Sequence, residues 1–85
     1  MEVQAAAISL QGHNFVIVLV GMDIVTNSGE ADMAIDALEP KFGNATVILM
    51  AQREDTSPVY YGDQGLVKAL GDIPVDEMPW KTYSV

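Results

Sequence analysis

The chain has no cysteine, one histidine and few cations. The absence of cysteine removes disulfides, thiolate metal centres and thiol nucleophiles together, and makes a reducing compartment, the cytoplasm, the expected location. Lys and Arg number 4 against 12 Asp and Glu, a formal net charge of −8. A field of that sign repels polyanions, so nucleic acid and anionic membrane surfaces are poor partners. Long apolar runs are also missing. Phe15 to Val20, extended by Met22, Ile24 and Val25, is broken by Gly21 and Asp23, well short of the ~20 residues of a membrane span. Glu2 precedes the first apolar stretch where a secretory signal would carry basic residues, so export is not expected.

What the chain does have is apolar bulk. Over 85 residues, 49% are hydrophobic and 19% charged, a balance that favours folding over disorder. One domain, residues 1–85, is expected. A domain of this size buries only about 60–65% of its unfolded surface, so pairing with another chain would add useful area.

The local patterns predict a ββαβαβ order. Val3 to Leu10 and Phe15 to Val20 read as strands joined by a four-residue hairpin loop, Gln11-Gly12-His13-Asn14. Phe15 to Val20 is β-branched and aromatic without alternation, the pattern of a strand covered on both faces. Asn27 with Glu30 three residues on predicts a capped helix over about 28–39. Its apolar stripe is Ala31, Ala34, Ile35, Leu38 and Phe42, Asp32, Asp36 and Glu39 lie opposite, and Pro40 stops it. Ala45 to Ala51, with Val47-Ile48-Leu49-Met50, reads as a second doubly covered strand. Gln52 to Gly62 reads as loop. Asp63 to Leu70 predicts a short helix ended by Gly71 in a left-handed cap, and Trp80 to Val85 an alternating edge strand.

The fold class this implies is α/β, bordering on α+β: a small mixed four-stranded sheet with two helices. Helices between the later strands imply parallel pairing, with the first strand as an antiparallel edge. If the strands follow chain order, both helices share one face and the other face of two apolar strands lies open. Either the last strand returns on the far side, so that helices flank the sheet, or a second copy covers the open face.

Chemistry-bearing residues are sparse. The carboxyl ends of parallel strands are where open sheets collect ligands, and Asp23, Asn27, Ser28, Asp55 and Ser57 fall there. Two acids from separate strand ends have the oxygen chemistry for Mg²⁺, with Lys81 to orient a phosphoryl group. The plainer reading is solvated loop acids and helix caps. His13, placed in the hairpin loop, has no nucleophile or orienting acid near it in sequence. Gly62-Asp63-Gln64-Gly65 puts an acid where an anion would sit, which favours helix capping over phosphate binding. Tyr60, Tyr61, Trp80 and Tyr83 cluster late in the chain, as a core lid or an interaction surface.

The expected function is therefore a small non-enzymatic interaction domain, self-associating or bound to another protein, with no cofactor and no catalytic residues. The alternative is a domain binding a small molecule or nucleotide phosphate at the strand ends. An acidic mimic of a polyanion would follow from the charge alone.

Overall fold

The computed structural model describes residues 2–10 and 12–85. Strands β1 (Glu2–Leu10) and β2 (His13–Leu19) are followed by a single helical turn, α1 (Met22–Val25), and by α2 (Ser28–Leu38), which runs into a 3₁₀ turn at Glu39–Phe42. Then come β3 (Thr46–Gln52), β4 (Pro58–Tyr61), α3 (Gln64–Leu70), a 3₁₀ turn at Val75–Glu77 and β5 (Trp80–Ser84). The strands form one mixed sheet in the order β4-β3-β2-β1-β5, so the architecture is broadly α/β, with five strands where four are expected.

The apolar, unalternating strands are where their pattern places them. β2 and β3 are parallel neighbours, with Val16 opposite Val47 and Val18 opposite Leu49, and Phe15 to Val18 and Val47 to Ala51 are all buried. Successive residues of a strand point to opposite faces, and both faces are filled. On one, Val16, Val18, Val47 and Leu49 pack with Val25 of α1 and Ala31 and Leu38 of α2. On the other, Phe15, Ile17, Ile48 and Met50 pack with Leu70 of α3 and with Met78. Shielding each large apolar side chain contributes about 1.5–3 kcal/mol, so neither face tolerates exposure.

The α2 helix starts as its sequence indicates, with the Asn27 side chain accepting from Glu30 N at 3.2 Å. It ends at Leu38, and Pro40 falls in the first turn of the 3₁₀ segment, where a missing N–H costs least.

Several expectations are corrected. The β1–β2 hairpin is tighter than a four-residue loop: Leu10 already pairs with His13, and Ser9 with Asn14. Of the expected loop residues, Gln11 lies outside the described residues, and Gly12 takes a left-handed φ of 81°. His13 is accordingly the first residue of β2.

Pro58 to Tyr61 is not loop. It pairs antiparallel with β3, Met50 opposite Tyr60 and Gln52 opposite Pro58, after a reversal held by Arg53 N to Ser57 O (2.9 Å) and Thr56 N to Arg53 O (2.8 Å). That reversal changes everything downstream. The chain leaves β4 in the opposite direction, α3 and the Val75–Glu77 turn cover the second face, and β5 arrives beside β1. β1 is therefore interior, antiparallel to both neighbours, and the last strand, although it runs in the direction of β3, does not pair with it, because β2 and β1 lie between them. The expected alternative of one open sheet face is not realised, because helices flank the sheet. Gly71 has φ −58°, right-handed rather than left-handed, since the chain continues into a further turn closed by Ile73 N to Leu70 O at 3.0 Å.

Candidate functional sites: a strand-end cleft and a free sheet edge

The parallel pair β2–β3 defines a carboxyl end, and a hollow of about 650 Å³ opens there, within the size range of small-molecule sites. Gln4, Leu19 and Met50 form a row across β1, β2 and β3 at its base, since Leu19 is opposite Met50 and Gln4 lies on the neighbouring strand. The β3–β4 reversal brings Gln52, Thr56 and Pro58 to it, and the last crossover brings Val75, Asp76 and Trp80.

Two features give this cleft its character. Trp80 is held by its own Nε1–H, which donates to Val75 O at 2.8 Å, so the polar edge of the indole is already bonded. Among the described residues, Asp76 is the one ionisable side chain that lines the cleft, and no Lys, Arg or His does. Lys81 does not reach this side. It pairs with Ala5, which packs in the opposite core layer, whereas Trp80 pairs with Ala6 on the cleft side.

The residues singled out from sequence at these strand ends are placed otherwise. Asp23 lies in α1, and Asn27 and Ser28 open α2. The Asp55 carboxylate accepts from the Ser57 hydroxyl at 2.6 Å and from Ser57 N at 3.0 Å. The hydroxyl first, then the amide, hold its pKa below the ordinary carboxylate value. None of the five lines the cleft. Among the described residues, no three His, Asp or Glu side chains converge as a metal centre requires. The cleft-lining residues that sequence reasoning missed are Gln4, Gln52 and Asp76. They are polar residues without a motif, gathered only by strand order and the last crossover.

The late aromatics are not one surface. Tyr60 and Tyr61 lie on β4 and Trp80 and Tyr83 on β5, the two edges of the sheet, four strand intervals or roughly 19 Å apart. Tyr61 donates to Asp32 Oδ1 at 2.8 Å, and this bond, with burial behind it, raises the phenol's pKa. Burial alone raises that of Tyr60, whose hydroxyl is shielded and has no hydrogen-bond partner. Tyr83 packs edge-to-face on Phe42, centroids 5.2 Å apart at 77°, which ties the 3₁₀ turn after α2 to the β5 edge.

His13 lines a separate hollow of about 300 Å³ with Thr46 and Asp63, an association invisible in the linear sequence. Asp63 is committed to capping α3, accepting from Leu66 N at 3.1 Å.

The two edges of the sheet differ. β4 has 4 residues and begins with Pro58, the usual blunting of an edge. β5 has 5, contains no proline and has a strand, β1, on one side only. Lys81, Thr82 and Ser84 along it are exposed. Among the described residues no helix is long and apolar enough to cross a membrane.

Fold and sites together define a small mixed-sheet domain with one strand-end cleft and one unblunted edge. Compared with models of protein families, with curated proteins and with solved structures, the chain matches none.

Proposed function

We propose that this chain is a non-enzymatic interaction domain that self-associates by antiparallel pairing of β5 with β5 of a second copy. The observation that carries the reading is the β5 edge: five residues without proline, paired with β1 and with no strand on the other side among the described residues. Main-chain pairing at such an edge extends the sheet. A two-fold centred on Thr82 sets Lys81 of each copy opposite Tyr83 of the other. That places one of the chain's four cations inside the interface and eases the repulsion between two acidic bodies. Coverage of both sheet faces removes face-to-face packing as the route.

Sedimentation between about 10 μM and 1 mM tests this. The expected result is a reversible dimer, with concentration-dependent amide protection confined to Lys81 through Ser84. A monomer across that range, or protection arising at β4 instead, refutes it.

A second reading, binding of a small molecule, is favoured by the position of the 650 Å³ hollow at the carboxyl end of the parallel pair. Its nucleotide-phosphate form loses support, because Asp76 and no cation lines that hollow.

A further inference from the structure

We infer that the strand-end cleft takes a small organic cation, an ammonium or guanidinium carried on an apolar body. The inference rests on the second reading above and specifies its ligand. Charge decides the sign. Among the described residues Asp76 is the only ionisable group lining the cleft, and the chain's net charge of −8 enriches cations and depletes anions around it.

The aromatic wall agrees. The Nε1–H of Trp80 is already bonded to Val75 O, so what the indole offers a ligand is its π surface, and indole is the best of the aromatic faces for a cation. Gln52 contributes in the same sense. Its Nε2 donates one of its two hydrogens to Thr56 O at 3.4 Å, and Oε1 is an acceptor for a ligand N–H. Leu19, Pro58 and Val75, half-buried along the cleft, give apolar surface for the ligand's carbon skeleton.

Trp80 is the chain's single tryptophan, so its fluorescence reports on this cleft directly. Phenethylamine, its uncharged counterpart 2-phenylethanol, and AMP are titrated separately against the full chain. The expected result is a saturable change with phenethylamine, about 2- to 5-fold weaker binding of 2-phenylethanol, as one exposed ion pair is worth, and no response to AMP. Asp76→Asn, at an exposed position, is expected to bring phenethylamine down to the alcohol's affinity. Equal affinity for amine and alcohol, in a comparison that needs no variant, overturns the cation assignment and leaves the small-molecule reading standing. AMP binding in preference to the amine overturns it likewise. Silence from all three probes removes both the assignment and the reading beneath it.

Discussion

Gly62 ends β4 in a conformation with φ +151°, and a Cβ built there would lie 2.7 Å from Ile48 Cδ1 and 3.4 Å from Ile48 Cα. Gly62→Ala therefore meets two separate costs. Backbone in this largely glycine-only region costs about 1–3 kcal/mol for an L side chain. The overlap adds about 1–3 kcal/mol of overpacking, because Ile48 is fully buried and its methyl has nowhere open to move. The sum, about 2–6 kcal/mol, is a large part of a small domain's stability. Gly12→Ala supplies the comparison: φ is +81° and nothing lies within 4 Å, so only a conformational cost of about 1–2 kcal/mol applies.

The contact term is isolated by Ile48→Val, which removes the Cδ1 atom itself and costs about 0.5–1.5 kcal/mol alone. In that background Gly62→Ala should cost about 1–2 kcal/mol less than in the parent chain. Urea denaturation of the four chains of this cycle, followed by circular dichroism at constant slope, measures the coupling. Costs that add to within about 0.5 kcal/mol would refute the close approach of Ile48 to Gly62.

Asn27→Ala removes the acceptor of the Glu30 amide and is expected to lower stability by about 1 kcal/mol, read as a lower urea midpoint. Asn27→Asp should retain most of it. Tyr60→Phe deletes a shielded hydroxyl that has no partner, so stability should hold or rise by up to about 1 kcal/mol; a loss of that size in thermal unfolding would mean the hydroxyl is bonded in solution. Ser57→Ala removes the larger of the hydrogen-bonding causes that lower the Asp55 pKa, so the carboxyl should titrate higher, towards 3.8, in a carbon-detected NMR titration. Because the folded-state value is the depressed one, the stabilisation from this turn is present at neutral pH and fades as pH falls through the acid range below 3.8.

The signals legible in the sequence were those carried over a few residues. Phe15 to Val20 and Val47 to Met50 announced doubly covered strands by lacking alternation, and Phe15 to Val18 and Val47 to Met50 are buried on both faces, while Leu19 and Val20 are half-buried. Asn27 announced the start of α2 through a bond spanning three residues. Pro58 to Tyr61 announced nothing, because a strand of four residues led by proline has no period of its own and holds only through β3. The candidate site fared similarly. Carboxylates and hydroxyls near the strand ends drew attention by type, yet Asn27 and Asp55 are committed to their own turns. The cleft is lined instead by Gln4, Gln52 and Asp76, which are 24 to 72 positions apart in the chain.

By itself, then, the sequence determined a small acidic mixed α/β domain without thiol chemistry, its two innermost strands and its longest helix, all consequences of composition, side-chain periodicity and local capping. Only the tertiary structure decided that β1 is interior, that the helices flank the sheet, that the late aromatics part to opposite edges, and that a cleft forms beside Trp80. The reason lies in the range of the forces. Caps and periods act between near neighbours along the chain, whereas strand order follows from main-chain hydrogen bonds that every residue but proline offers alike, and so is settled only when distant segments compete for the same edge.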